Sequence, residues 1–249
     1  MPLNDGRRVR TADPASKPTL TDTVHQSIRD RIILGEIQGG EMLIESQLAQ
    51  EFGVSKTPIR EALSLLSQAG FVEVIPRQGY RVTTISVKDV HEIYELRVLL
   101  EGEAAALAAQ RAAPQDYAEF RKTMDRLSAE VEAKEGSLTA LDVMRIDDAF
   151  HMGVAGLTKN SRLQTTIQRL LQQATRVRWT DPHLSPEGIL AEGEGSERIY
   201  VALEQRDPNA ARALMVDHVL HSKERVLEGI LDPTPNQSIE LRAHQARRR

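Results

Sequence analysis

The segment from Glu45 to Leu66, ESQLAQEFGVSKTPIREALSLL, constrains this chain more than any other part of the sequence. Two short helical patterns flank a corner at Gly53, where glycine suits the positive φ of a helix C-terminus. Ser55 is a suitable N-cap for the second helix, and Pro58 falls in its first turn, where a missing N–H is tolerated. The segment therefore predicts two helices joined by a tight turn.

The second of these helices has two distinct faces. Its apolar residues recur at helical spacing and predict a buried side: Ile59, Ala62, Leu63, Leu66 and Ala69. Its polar residues are crowded towards the N-terminus on the other side: Lys56, Thr57, Arg60 and Ser64. Cations, hydroxyls and free backbone N–H groups at a helix N-terminus suit the phosphates and major groove of DNA. The alternative is a solvated amphipathic hairpin without a ligand.

The flanking segments complete a known small architecture. Residues 20–35 have the apolar spacing of a helix. Residues 71–75 and 80–84 read as two short strands joined by a turn that contains glycine. Three helices and a β-hairpin form a winged helix-turn-helix, which we predict over residues 19–85. Residues 1–18 contain three prolines and no periodicity, and we predict a disordered arm.

The remainder of the chain reads as helix throughout, with no strand pattern. Six helical segments are predicted at about 88–112, 114–134, 138–157, 161–180, 188–206 and 208–230. We assign residues 86–231 to an all-α helical bundle, since helices of this number can enclose a pocket. Residues 232–249 are polar and end in three arginines, which predicts a disordered basic tail. The fold class is mainly α.

The distribution of charge accommodates DNA binding despite a net charge of −4. Residues 1–86 contain 10 basic and 10 acidic residues, whereas residues 87–239 contain 18 basic and 25 acidic residues, a net charge of −7. Between residues 55 and 84, four cations stand against two carboxylates. The positive field is therefore local, and the acidic second domain should stay away from the DNA.

Composition excludes several other classes of protein. The absence of cysteine excludes disulfides and thiolate chemistry. No apolar run is long enough to cross a bilayer, and the first ten residues lack the apolar core of a secretory signal. We expect a cytoplasmic protein without a membrane partner.

The motifs LAQEFGVSKTPIREALSLLSQAGFVE and RQGYRV resemble the DNA-binding domain of the GntR family of bacterial transcription regulators. By position, the resemblance implies DNA contacts from Arg29, Ser55, Lys56, Thr57, Arg60, Gln78 and Gly79. Lys56 stands where relatives commonly have arginine, so the charge is kept but the bidentate fork is lost. For Arg29, a surface salt bridge is an equal alternative. The resemblance also implies a homodimer on a palindromic operator, because two-fold symmetry repeats the half-site.

The helical half resembles the effector-binding domain of the FadR-type branch of that family. The resemblance rests on ELRVLLEGEAAALAA (Glu95–Ala109), DDAFHMGVAGLTKNSRL (Asp147–Leu163) and ALMVDHVLHS (Ala213–Ser222). Six helices rather than seven match the VanR-like subgroup. The resemblance implies a transcription regulator, in most relatives a repressor, that responds to a small organic acid.

A possible metal site follows from the same resemblance. Asp147 and His151 are four residues apart and therefore share a helical face. In many relatives an Asp, the His four residues later and one His on each of the last two helices hold a divalent cation. Asp147, His151 and His218 match three of these positions, and Ser196 stands where the fourth ligand is expected. Zn, Ni or Mn is the implied metal, but serine is a poor zinc ligand.

Each of these residues also has a structural interpretation. His151 could be a core histidine bonded to a carbonyl, and Asp147 could pair with Arg145 or Arg176. His218 could be solvated.

Four residues are candidates for contact with the effector. Arg97 lies in an apolar helix and needs an anion, which could be Glu101 or, as the resemblance implies, an effector carboxylate. Arg176 and Trp179 share one side of a later helix, although Trp179 could equally be core. Ser196 is the fourth candidate.

The sequence thus predicts a DNA-binding transcription regulator, a repressor controlled by a small carboxylate, and not an enzyme. One alternative is a metal-responsive regulator without an organic effector. The other is a metal-dependent helical enzyme fused to a DNA-binding module, with the metal ligands activating a water. The serine at position 196 argues against both.

Overall fold

The computed structural model describes residues 19–134, 139–178 and 186–231. It confirms a mainly α fold with a small sheet in the first third of the chain. The first elements are α1 (Leu20–Ile33), β1 (Met42–Leu43), α2 (Glu45–Phe52), α3 (Lys56–Gln68), β2 (Val72–Ile75) and β3 (Gly79–Val82). The later elements are α4 (Val87–Arg111), α5 (Pro114–Glu132), α6 (Ala140–Leu157), α7 (Ser161–Arg178), α8 (Pro186–Glu204) and α9 (Pro208–Leu231).

The predicted hairpin is part of a larger sheet. The strands are antiparallel in the order β1-β3-β2, with Leu43 opposite Tyr80. The sequence predicted β2 and β3 but not β1, because a strand of two residues has no alternation to detect. Its pairing with β3 is a tertiary contact between segments almost 40 residues apart.

Local signals set the helix-turn-helix. Gly53 has φ +64°, the left-handed conformation expected at the end of α2. Ser55 occupies the N-cap position of α3, but its side chain makes no capping hydrogen bond. The Ser55 hydroxyl is therefore available to an external partner. At α1 a capping box does form, between Thr19 and Asp22.

The second part of the chain contains the six predicted helices, and no strand occurs among the described residues after Val82. Helices α4 and α9 pack along each other at its centre. The core is formed by alanines of α4 and by aromatic residues such as Phe120, Phe150 and Tyr200. Gly153 of α6 lies against the ring of Phe120. No helix in the described part of the chain is both long enough and apolar enough to cross a membrane.

The two parts of the chain share an apolar cluster. The core of the first part includes Ile28, Leu63 and Phe71, and it also contains Met144 of α6, which is 3 % exposed. The division into residues 19–85 and 86–231 stays a prediction. The predicted arm (1–18) and tail (232–249) lie outside the described residues.

Candidate functional site

The polar face of α3 is exposed as the sequence predicted. Ile59 is completely buried, whereas Ser55, Lys56, Thr57 and Arg60 are exposed. Nε of Arg60 donates to Oε2 of Glu45 at 2.7 Å, at the start of α2. The Arg60 guanidinium is thus paired with a carboxylate at the start of α2.

The turn between β2 and β3 has a backbone that only certain residues allow. Arg77 has φ +66° and Gly79 has φ +121°. A Cβ at position 79 would lie 2.8 Å from the carbonyl oxygen of Leu43, so a side chain there would clash with β1. Gln78 is exposed, and its N–H donates to the carbonyl of Ile75 at 3.0 Å. The turn therefore presents the side chains of Arg77 and Gln78 to solvent.

Arg29 is more enclosed than the α3 residues. Its side chain is 22 % exposed, and Nη1 lies 3.9 Å from Oδ1 of Asp30. The guanidinium also lies over the ring of Phe71, 6.0 Å from its centre. Because these contacts match the salt-bridge alternative, DNA contact by Arg29 stays a prediction.

A second polar site lies inside the helical part of the chain and begins with Arg97 on α4, which is fully buried. Nε of Arg97 donates to Oε1 of Glu101 at 2.6 Å. The guanidinium lies 5.0 Å from the centre of the Tyr94 ring. The internal partner that the sequence suggested is therefore present.

His151 of α6 is buried between two carboxylates. Nδ1 forms an ion pair with Oε2 of Glu101, and Nε2 lies 3.4 Å from Oδ1 of Asp147. Burial disfavours the charged ring, but the Glu101 and Asp147 carboxylates outweigh burial and raise the pKa of His151 to about 9. Nη2 of Arg97 is 3.3 Å from Nε2 of His151, but it cannot donate to a protonated nitrogen. Arg97 therefore lies close to the imidazolium of His151 without a hydrogen bond to it.

Arg97, Glu101, Asp147 and His151 form a buried cluster of charged side chains. This cluster also contains a cation that sequence reasoning missed. Arg178 of α7 pairs through Nη1 with Asp147 and through Nη2 with Asp148. No ion pair joins Asp147 to Arg145 among the described residues, and pairing with Arg176 stays a prediction because the side chain of Arg176 lies outside them. A signal did exist, since Arg178 follows the buried residues Leu171 and Ala174 at helical spacing. Like Arg97, it is a cation on an apolar face.

His218 of α9 completes the cluster. Its Nε2 lies 3.9 Å from Oδ1 of Asp147, and its ring centre is 5.2 Å from that of His151. Burial, together with the charge on His151, lowers the pKa of His218 to about 4. Gly195 of α8 lies against this ring, since a Cβ there would be 3.6 Å from Nδ1 of His218. Ser196 follows it and is partly exposed.

Asp147, His151 and His218 fit a divalent cation. One ligand atom from each lies within 4.8 Å of the others, giving two imidazole nitrogens and one carboxylate oxygen. Glu101 on the far nitrogen of His151 is the outer-shell partner that metal-binding histidines usually have. Serine at 196 adds no strong ligand, so three side chains of the described residues would hold the ion.

The same cluster can also accept an anion. The cluster contains three carboxylates, two guanidiniums and one protonated imidazole, so its charges balance. These groups belong to Glu101, Asp147, Asp148, Arg97, Arg178 and His151. Among the described residues, Nη1 of Arg97 and Nε of Arg178 have no hydrogen-bond acceptor, although both atoms are buried. A buried N–H group without an acceptor is energetically costly, and a ligand oxygen would relieve that cost.

The structure gives no contact between this cluster and two other effector candidates, Arg176 and Trp179. Trp179 lies outside the described residues, and so does the side chain of Arg176.

Comparison with known proteins gives consistent matches along the chain. Residues 20–82 match the family described as bacterial regulatory proteins, gntR family, and residues 92–221 match the FCD domain. The Nta operon transcriptional regulator of Aminobacter aminovorans is 31 % identical over 192 residues, covering 76 % of this chain and 86 % of that protein. The HTH-type transcriptional repressor RspR of Escherichia coli is 26 % identical, covering 87 % and 93 %.

A solved structure of Escherichia coli McbR/YncC supports the fold. It superposes with a TM-score of 0.68 at 23 % identity, covering 84 % of this chain and 98 % of that one. A putative transcriptional regulator GntR from Rhodococcus sp. RHA1 superposes with a TM-score of 0.62 at 22 % identity, covering 84 % and 97 %.

Proposed function

The chain belongs to the GntR family of bacterial regulatory proteins and carries an FCD domain, and from this premise we propose that it is a repressor controlled by a small organic acid. It is a DNA-binding transcriptional regulator, and its relatives are regulators rather than enzymes. The fused-enzyme alternative is therefore not retained. Repression is supported by the relative named as a repressor.

We place the operator contact on α3 and the β2–β3 turn. The exposed side chains of Ser55, Lys56, Thr57 and Arg60 support contact in the major groove, and Gln78 with Gly79 supports contact in the minor groove. Because the positive charge is local, we expect DNA affinity to depend on a few phosphate contacts rather than on a broad positive surface. The regulator would act in the cytoplasm, where the operator lies.

A homodimer on a palindromic operator is supported by exposed apolar side chains. Leu96 and Leu99 on α4 are 47 % and 62 % exposed, and Leu220 on α9 is 41 % exposed. Large apolar side chains exposed on two adjacent helices suit burial against a second copy of the chain. The two-fold axis of such a dimer would align two α3 helices with two half-sites.

The effector proposal depends on one observation: two buried guanidinium N–H groups, Nη1 of Arg97 and Nε of Arg178, have no acceptor among the described residues. A carboxylate supplies two acceptor oxygens, and guanidinium groups often bind it through two parallel hydrogen bonds. We therefore add Arg178 to Arg97 as an effector contact. Arg176, Trp179 and Ser196 stay predictions.

A divalent cation would be held by Asp147, His151 and His218. Zn, Ni and Mn are the candidates, and a bound ion would supply positive charge that anchors a carboxylate. The ion needs His151 with an unprotonated Nε2, so it would take the place of that proton. Ser196 would leave a position for the effector or water.

The proposal is tested with purified protein, a DNA fragment from upstream of its own gene, and a panel of organic acids such as malate, citrate and gluconate. Operator affinity is measured by mobility shift with each acid, with ZnCl2, and with both. We expect at least one acid to weaken binding by about tenfold or more, within the usual range of allosteric coupling. Arg97→Ala should lose this response and keep operator binding.

A matched control is Arg162→Ala, which removes an exposed arginine from α7. It should respond to the acid as the wild type does. A response to ZnCl2 alone would favour the metal-responsive alternative, and an unchanged response in Arg97→Ala would remove the effector assignment. Absence of any salt-sensitive preference for the fragment would contradict the operator assignment.

A further inference from the structure

Met144 occupies an unusual position between the two parts of the chain. It belongs to α6, yet its side chain is buried in the apolar cluster of α1 to α3 rather than among the helices of its own domain. It is the only buried member of that cluster, among the described residues, that comes from beyond Val82. Leu141, one turn earlier on α6, packs against the same cluster. The core of the DNA-binding domain is therefore closed by an effector-domain side chain.

Helix α7 makes a second contact with the DNA-binding domain. Gly70, which follows α3 with φ +78°, lies against the side chain of Gln173; a Cβ at Gly70 would be 3.7 Å from its Cγ. Helices α1 and α7 also pack together. Helices α6 and α7 thus both contribute to the contact between the domains.

The same two helices carry the buried ion-pair cluster. Asp147 and His151 follow Met144 by three and seven residues, so the three side chains share one face of α6. With a rise of about 1.5 Å per residue, Asp147 lies only about 4.5 Å along the helix axis from Met144. Arg178 of α7 pairs with Asp147 and Asp148 and so ties α7 to α6 one turn from the domain contact.

A ligand at the cluster must therefore disturb the tie between α6 and α7. A carboxylate on Nε of Arg178, or a cation on Asp147, changes the balance of the Arg178 ion pairs. A close-packed core does not deform continuously, so a shift of α6 would force the residues around Met144 to repack. We propose that Met144 is the residue that transmits the state of the cluster to the DNA-binding domain. This inference rests on the proposed effector site, but it concerns how a change at that site reaches the DNA-binding domain.

The experiment needs neither effector nor operator, because Arg178→Lys replaces the ligand as the perturbation. Lysine keeps the charge but cannot span both carboxylates as the guanidinium fork does. Hydrogen–deuterium exchange is measured across α1 to α3 in the wild type, Arg178→Lys, Met144→Ala and the double variant. Because residue-to-residue coupling is typically about 0.5–2 kcal/mol, we expect Arg178→Lys to speed exchange in α1 to α3 by between about twofold and thirtyfold. In the Met144→Ala background its further effect should be less than about twofold.

Met152→Ala is the matched control, since it makes the same change on α6, and Met152 packs within the effector domain. Arg178→Lys should retain its full effect on α1 to α3 in that background. If Met144→Ala does not fold, Met144→Leu, which conserves volume, should keep the coupling and Met144→Val should weaken it. The inference is overturned if Arg178→Lys speeds exchange in α6 but not in α1 to α3, or if its effect survives in Met144→Ala. Because no DNA or acid is present, failure of the proposed function leaves this result unaffected.

Discussion

Replacement of Gly153 by alanine sets two physical effects against each other in the helix that carries the cluster. Gly153 lies inside α6, where alanine is favoured over glycine by about 1 kcal/mol. A Cβ at this position, however, would lie 2.1 Å from Cε2 and 2.5 Å from Cδ2 of Phe120. Ordinary carbon contacts are about 3.5–4.0 Å, so the ring or the helix would have to move by more than about 1 Å.

The surroundings of Phe120 give it little room to move. Phe120 is only 7 % exposed. The centre of its ring lies 6.0 Å from the ring centre of Phe150 and 5.6 Å from that of Tyr200. Overpacking of a core costs about 1–3 kcal/mol, and an overlap with an aromatic ring belongs at the upper end of that range. After the helix preference is subtracted, Gly153→Ala should destabilise by about 2 kcal/mol. That loss corresponds to a fall in Tm of about 4–8 °C for a chain of this size.

The assay is thermal and urea unfolding followed by circular dichroism, with Gly156→Ala as the matched control. A Cβ at Gly156 meets only Nε2 of Gln164 at 3.3 Å, the end of a flexible side chain. Gly156→Ala, near the end of the same helix, should therefore be neutral or stabilising by up to about 1 kcal/mol. A Tm for Gly153→Ala equal to or above that of Gly156→Ala would refute the packing argument.

Four further outcomes are expected. Arg60→Ala should weaken specific operator binding by about tenfold or more without changing thermal unfolding; retained footprinting would contradict the α3 assignment. Ser196→His should tighten zinc binding in a calorimetric titration, and an unchanged isotherm would show that position 196 does not face the ion. Glu101→Gln should weaken zinc binding by about 10- to 100-fold, because the amide no longer draws the proton to Nδ1 of His151; equal affinity would refute that role. The pKa of His151, raised from 6.5 to about 9, contributes stability that is complete below pH 6.5 and is lost as the pH rises through 9. Urea unfolding should show this decline in the wild type and a smaller one in His151→Gln, and equal declines would contradict the ion-pair account.

Features that depend on neighbouring residues were predictable from the sequence. The left-handed Gly53, the cap position of Ser55 and the two faces of α3 all follow from local rules, and the structure has each of them. The six later helices were likewise found close to their predicted bounds. The shared face of Asp147 and His151 also needed only helical geometry.

The contacts that join separate elements depended on tertiary structure. Strand β1 exists only because Leu43 reaches Tyr80. Arg178 pairs with Asp147 and Asp148, which lie about 30 residues earlier in the chain. Met144 is buried in the core of the other domain. Sequence spacing determines which side chains share a helical face, because the helix repeat is fixed. It does not determine which face meets which, because that choice is made by the packing of the whole chain.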